Sequence, residues 1–149
     1  MSYASNTSVS PERSQEEIKR TLRKYGADRF GVMEEKTKAH VMFEFKGLLI
    51  QMTVKLPEES EFNKTETGRP RNKTSVESAF NQAIKQRWRA LLLAIKAKLE
   101  AVETGISTIE QEFMAFVVMP NGQTLSDIII PKLEEIAKTG QMPKLLDFK

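Results

Sequence analysis

Basic side chains at helical spacing are the residues of this chain whose chemistry is easiest to name. Lys85, Arg89 and Lys96 are separated by four and seven residues, so a helix would align them along one face, and Arg87 flanks that row. Ammonium and guanidinium groups in a row can follow the phosphates of a nucleic-acid strand. The spacing predicts a phosphate-binding surface, and the alternative is that these cations only solvate an exposed helix face.

A second group of cations lies in the polar stretch 57–73, which is acidic in its first part and basic in its last. A connection of that length in a small domain is either functional or disordered. Proteins that bind single strands combine cations with aromatic rings on which bases stack, and Phe62, Phe30 and Trp88 are the rings available. The predicted nucleic-acid-binding residues are Lys64, Arg69, Arg71, Lys73, Lys85, Arg87, Arg89, Lys96 and Phe62.

Groups that could catalyse a reaction are scarce. The one histidine, His40, falls among alternating apolar residues, so we expect its ring to face solvent or a hydrogen-bond partner. The absence of cysteine excludes thiolate zinc sites, and no His-x-x-x-His or Asp-x-Asp spacing suits a metal. Glycine-rich nucleotide-binding motifs are also absent. The sequence predicts a protein that is not an enzyme and needs no metal or cofactor, with a carboxylate-based hydrolase ranked last.

Length and composition fit one ordinary globular domain. The 149 residues are 40% hydrophobic and 29% charged, and the net charge of +3 at pH 7 favours an anionic partner only mildly. Residues 1–9 are polar and predict a disordered tail before a single domain over 10–146. The tail lacks the apolar segment of a signal peptide, and no apolar run approaches the roughly 18 residues of a membrane span. We therefore expect no membrane partner and a cytoplasmic location.

A helical pattern gives way to strand patterns in the first part of this domain. Ser10-Pro11 is a typical helix start, and Gly26 is a typical C-terminal cap. Over residues 29–56 the apolar period changes to two, which predicts three strands with a two-residue turn at Lys46-Gly47. The strands would form an antiparallel meander whose single apolar face needs a helix to cover it.

A long amphipathic helix comes after the polar stretch. Thr74 and Glu77 have the spacing of a capping box, and Gly105 ends the pattern. Between them the apolar residues recur at steps of three, four and seven, which defines a face that packs on the meander. Trp88, the only tryptophan, belongs to this face, so we interpret it as a core residue rather than an interface residue.

Two further elements complete a fold of the α+β class. The stretch 112–119 is apolar on both faces and predicts a fourth, interior strand. Thr124 and Asp127 predict the start of a C-terminal helix that Pro131 should kink or delay and that Gly140 ends. The predicted order is an N-terminal helix, a three-stranded antiparallel meander, a long covering helix, a fourth strand and a C-terminal helix.

Five runs of the chain resemble a group of short proteins encoded by tailed bacteriophages and prophages. The runs are residues 86–91, 95–103, 112–115, 119–122 and 140–143, within a similarity that spans 10–146. The resemblance implies a protein of the bacterial host cytoplasm that serves phage DNA metabolism or counters host defence. It implies no functional residues.

The sequence supports two hypotheses of function. The first is a non-enzymatic phage-type protein that binds nucleic acid, single-stranded DNA in particular, during replication or recombination, and that assembles as a homo-oligomer. Its basis is the basic row with nearby aromatic rings. The second is a protein-interaction module that inhibits or sequesters a host factor through the long helix and the 57–73 stretch.

Overall fold

The chain folds as an N-terminal helix, a three-stranded sheet, a long helix and a C-terminal helix, in a computed structural model that describes residues 4–146. The helix α1 (Pro11–Lys24) starts as predicted, because the Ser10 hydroxyl accepts a hydrogen bond from the Arg13 amide at 3.2 Å. Gly26, with φ +94°, adopts the left-handed conformation that ends the helix. The predicted cap residues at both ends of α1 are therefore confirmed.

The sheet is an antiparallel meander in the order β1 (Asp28–Glu34), β2 (Lys38–Phe45) and β3 (Leu48–Lys55). Lys46 and Gly47 form the predicted two-residue turn, and both have positive φ, 50° and 79°. This turn sets the pairing of β2 with β3, from Phe45 opposite Leu48 to Lys38 opposite Lys55. The alternation therefore turns one whole set of apolar side chains to the same face.

The helix α2 (Lys73–Glu103) packs with α1 over that face and encloses the core. Trp88 is 1% exposed and lies in the core cluster, which confirms its interpretation as a core residue. The other buried members come from α1, the sheet, α2 and the segment after it. They are Ile18, Leu22, Ala39, Val41, Phe43, Phe45, Ile50, Met52, Leu91, Leu92, Ile95, Leu99 and Phe113.

The start of α2 differs from the prediction. Asn72 is the N-cap, and its side-chain oxygen accepts a hydrogen bond from the Ser75 amide at 2.8 Å. The expected capping box of Thr74 and Glu77 is wrong, because asparagine is at least as good an N-cap as threonine and precedes it by two residues. Thr74 is consequently the second helical residue.

The predicted fourth strand over 112–119 is also wrong. A capping box of Thr108 and Gln111 begins a short helix α3 (Ile109–Phe113), and a 3-10 turn (Met114–Phe116) comes next. The apolar residues here also recur at helical spacing, and burial of Phe113 between the rings of the sheet favours the helical alternative. In residues 112–119, pairing with β3 is confined to an isolated bridge of Val117 with Ile50.

The helix α4 (Leu125–Thr139) begins at the predicted capping box of Thr124 and Asp127 and ends at Gly140, whose φ is +67°. It runs through Pro131, so the proline does not delay its start. Proline lacks only one backbone donor, and the two reciprocal cap hydrogen bonds at Thr124 stabilise the turn before it.

The remaining segments lie against α2. The 57–73 stretch contains a 3-10 helix (Glu59–Phe62) that packs on α2 and a turn closed by a bridge between Lys64 and Pro70. Of the predicted disordered tail, residues 4–9 are described, and Gln82 donates to the carbonyl oxygens of Ser5 and Thr7 in this segment. Within 4–146, no helix combines the length and the apolarity needed to cross a bilayer.

A pair of neighbouring leucines tests the core. Leu92→Ala should lower the free energy of unfolding by about 2–5 kcal/mol, because the Leu92 side chain is fully buried. Leu93 is partly exposed, so Leu93→Ala should cost less than about 1 kcal/mol. Urea unfolding monitored by the fluorescence of Trp88 measures both, and equal losses would contradict this description of the core.

Candidate nucleic-acid interface

The cations predicted on α2 lie on two flanks of the helix, with Arg87 apart from the row of Lys85, Arg89 and Lys96. Successive helical residues are rotated by about 100°, so Arg87 and Arg89, two residues apart, point to opposite sides. Arg89 and Lys96 face α1 and contact Glu17, whereas Arg87 faces the 57–73 stretch and the end of the sheet. Lys85 shares the flank of Arg89 by its spacing and is partly exposed. The structure therefore does not join these four cations into one track.

Glu17 neutralises much of the flank that faces α1. Its carboxylate accepts hydrogen bonds from Lys96 Nζ at 2.6 Å and from Arg89 Nη1 at 2.9 Å. The hydrogen bond from Lys96, supported by that from Arg89, lowers the pKa of the Glu17 carboxyl below its ordinary value, against the opposing effect of desolvation. These two cations hold α1 against α2 and are not free for a ligand.

The 57–73 stretch uses one of its cations internally. Arg71 Nη1 donates to the carbonyl oxygens of Lys64 at 2.9 Å and Phe62 at 3.3 Å, so this guanidinium organises the turn. Phe62 packs edge to face on Phe80 of α2, with ring centroids 6.2 Å apart, and is not an isolated stacking platform. The other predicted cations of this stretch are exposed at the same end of the domain; they are Lys64, Arg69 and Lys73.

Cations from the sheet and from α2 meet in a cavity of about 410 Å³, beside the first residue of β2 and the last residue of β3. Lys38 and Lys55 are direct cross-strand partners, and Arg87 reaches the same cavity from α2. Like charges directly opposite each other destabilise a sheet, so an anion bound between them would be favourable. The other lining residues are Thr37, Leu56, Pro57, Glu58 and Glu61.

The carboxylates of this cavity offset its positive charge only in part. Glu61 Oε1 accepts a hydrogen bond from the Glu58 amide at 3.2 Å, which directs one oxygen of this carboxylate toward the backbone of its own turn. Lys38 has a loose ion pair with Glu35, 3.7 Å apart. In the described residues, Lys55 and Arg87 form no ion pair, so their ammonium and guanidinium groups can reach a ligand.

A second cavity of about 350 Å³ adjoins the first. The two share Pro57 and Glu58 in their walls, and the second adds the ring of Phe80, together with Lys36, Glu59 and Ser60. A basic cavity thus lies next to one with an aromatic wall. The size and lining of the two neighbouring cavities are suitable for a ligand that has a flat ring beside a charged group.

The sequence prediction missed three residues of this site, Lys38, Lys55 and Phe80. The two lysines belong to strands whose pairing is set by the turn at Lys46-Gly47. Counting outward from that turn places Lys38 opposite Lys55, so the signal for this like-charged pair is the register of the hairpin. The apolar spacing of α2 assigns Phe80 to the core face, but its ring packs on Phe62 outside the core cluster and stays partly exposed.

His40 lies outside this cavity. Its ring nitrogens contact Glu35 Oε2 at 2.7 Å and Thr53 Oγ1 at 2.9 Å, which confirms the predicted hydrogen-bonded position. The hydrogen bond from His40, supported by the charge of Lys38, lowers the pKa of the Glu35 carboxyl, although desolvation opposes this.

Across residues 4–146, no group of three histidine or carboxylate side chains is placed to hold a metal ion. Phe30, the remaining aromatic candidate, is half-buried against the core.

Comparison of the chain with protein-family models, with curated proteins and with solved structures gave no match. The function proposed for the protein therefore depends on the geometry and charge of its own residues.

Replacement of Glu17 tests the contact between α1 and α2. Because the pKa of Glu17 is lowered by folding, its contribution to stability is complete above the unfolded-state value near 4.5 and is lost as pH falls through the lower folded-state value. Glu17→Gln should therefore lower stability at pH 7 by up to about 1 kcal/mol and have a smaller effect near pH 3. Urea unfolding at the two pH values measures this.

The exposed neighbour Glu16 provides the control for that experiment. Glu16→Gln should leave stability unchanged at pH 7. An equal effect of both substitutions, or an effect of Glu17→Gln that persists unchanged at pH 3, would refute the assigned role of Glu17.

Proposed function

We propose that this protein is a non-enzymatic nucleic-acid-binding protein that takes a single strand at the paired cavities. The observation that supports the proposal is the convergence of Lys38, Lys55 and Arg87 around one cavity, next to another walled by Phe80. Successive phosphates of a strand, one at each of these three cations, would offset the repulsion between the cross-strand lysines. A base could then stack on the Phe80 ring in the second.

The charge balance of this surface favours a single strand over a duplex. The same end of the domain carries Glu58, Glu59 and Glu61 beside its cations, so the net positive charge is small. A duplex presents one phosphate per about 1.7 Å of axis and requires a broad basic face. A single strand offers fewer phosphates at a time and has unpaired bases that can enter an aromatic cavity.

The biological setting of the proposal comes from the resemblance to short phage and prophage proteins. On that resemblance we propose the cytoplasm of a bacterial host as the location and single-stranded DNA of phage replication or recombination as the partner. The second hypothesis, a module that binds a host protein, remains the alternative outcome of the binding test.

Salt-dependent binding of a fluorescent oligothymidine of about 20 nucleotides tests the proposal. Three phosphate contacts predict a slope near −2 when the logarithm of the association constant is plotted against the logarithm of salt concentration. Arg87→Ala should weaken binding several-fold and reduce the magnitude of that slope by about 0.7, because one phosphate contact is lost. Fluorescence anisotropy between about 50 and 200 mM salt measures both quantities.

Two further variants make the result specific to the cavity. Lys24→Ala removes the same charge at the opposite end of the helix pair and should leave binding and slope unchanged. Glu17→Gln releases Arg89 and Lys96 and should also leave binding unchanged. Stronger binding by Glu17→Gln together with no effect of Arg87→Ala would transfer the site to the α1 flank. No binding at low salt, with a protein partner retained from nuclease-treated bacterial lysate, would favour the host-protein hypothesis.

A further inference from the structure

The helix α4 is well formed but only partly covered, by the 3-10 turn Met114–Phe116. It has 15 residues with defined caps at both ends, but none of its residues is buried. Helices of this length are marginal in water unless an apolar face packs on something. On α4 that face is open, with Ile130 and Leu133 exposed by 50% and 53%, and Met142 and Leu145 come after it with 80% and 37% exposure.

The apolar surface continues from α4 onto the sheet. The 3-10 turn Met114–Phe116 packs on both α4 and β3, and Met114 is half exposed. Leu48 and Leu49, at the start of β3, are each 40% exposed. Large apolar side chains are thus exposed on α4, on the 3-10 turn and on β3, and the turn contacts the other two elements. These side chains form a connected apolar patch and are not isolated surface residues.

The area of this surface is sufficient for a dimer. Successive residues of a strand face opposite sides of the sheet, so only one of Leu48 and Leu49 adds to this surface. At roughly 100 Å² of removable apolar area for one whole side chain, the six exposed residues then hold about 310 Å². Apolar atoms make up about 57% of a typical interface, so the matching interface would be about 540 Å² on each copy. Two copies would bury about 1,100 Å², above the roughly 1,000 Å² expected of a biological interface.

The charges on α4 are complementary to a second α4 that runs in the opposite direction. Asp127, Glu134 and Lys138 lie on one flank of the exposed apolar face, at steps of seven and four. If two copies cross near Leu133, Asp127 of each lies opposite Lys138 of the other. A symmetric parallel pair would instead place this flank of the two copies on opposite sides of the interface, where Asp127 and Lys138 cannot pair, and the antiparallel pair also aligns the helix dipoles favourably.

We infer that α4 mediates a symmetric dimer in which two copies of this chain pair their C-terminal helices antiparallel across Leu133. The two-fold axis makes every contact occur twice, including the Asp127–Lys138 pair. Binding of nucleic acid is not needed for this association. A test that refutes the dimer therefore leaves the proposed function unaffected, and the reverse also holds.

Sedimentation equilibrium of the full chain at about 10–100 µM tests the dimer, at concentrations far above those at which stable interfaces dissociate. The expected mass is twice the 17.0 kDa of one chain. Leu133→Glu should give the single-chain mass, because it places a carboxylate at the two-fold axis. Glu135→Lys, on the opposite side of α4, should keep the dimer. Circular dichroism of Leu133→Glu should show retained helix, which separates loss of pairing from loss of folding.

Engineered cysteines give a second test that does not require loss of binding. The chain has no cysteine, so any disulfide comes from the introduced residue. Leu133→Cys should form a linked dimer, because the two copies of this position meet at the axis. Ser126→Cys lies on the same face, seven residues away, so antiparallel pairing separates its two copies by about 21 Å along the helices, well beyond disulfide reach.

Three results would overturn the inference. They are a single-chain mass for the wild-type protein over the whole concentration range, a dimer mass retained by Leu133→Glu, and linkage of Ser126→Cys as efficient as that of Leu133→Cys. The last result would indicate a parallel pair.

Discussion

The pairing register set by the turn at Lys46-Gly47 is the constraint on which both the core and the candidate site depend. With that register, Val41 and Phe43 face inward beside Met52 and Ile50 of the next strand. A slip of one residue would turn this entire set outward. The energy of burying these side chains under α1 and α2 therefore holds the lysines Lys38 and Lys55 opposite each other, although their mutual repulsion opposes it. The favourable free energy of burying the core thus outweighs the unfavourable repulsion between the two lysines.

The length of α2 connects the core to the candidate site. Its central part covers the sheet through Trp88 and Leu92, whereas Phe80, nearer its N-terminus, packs on Phe62 and lines the second cavity. One flank of the helix is bound by α1 through Glu17, and the other flank delivers Arg87 to the cavity. A single helix thus contributes cations to an internal contact and to an open surface. The two roles differ only because Glu17 of α1 pairs with the cations on one flank, whereas the other flank faces the open cavity.

Most of the fold could be predicted because its elements depend on local patterns. The caps at Ser10 and Thr124 and the alternation in β2 and β3 are visible in a few neighbouring residues. The segment after α2 could not be assigned, because its apolar residues fit both a strand and a helix, and packing of Phe113 on the sheet decides between them. The candidate site was predicted only in part for a similar reason. Helical spacing identifies a row of cations, but Glu17, distant in sequence, determines that Arg89 and Lys96 are occupied.

The two proposed surfaces lie at opposite ends of β3, and this separation allows them to act together. Leu48 and Leu49 begin the strand beside the α4 surface, while Lys55 ends it at the basic cavity, about 20 Å away at 3.3 Å per residue. Pairing through α4 would therefore leave the basic cavity of each copy open. A strand long enough to reach the basic cavities of both copies would bind the second one at a high effective concentration, so affinity would rise with strand length. For a short oligonucleotide that fills one cavity, dimerisation would make no difference. The dependence of affinity on strand length thus connects the oligomeric state to binding without requiring any contact between α4 and the nucleic acid.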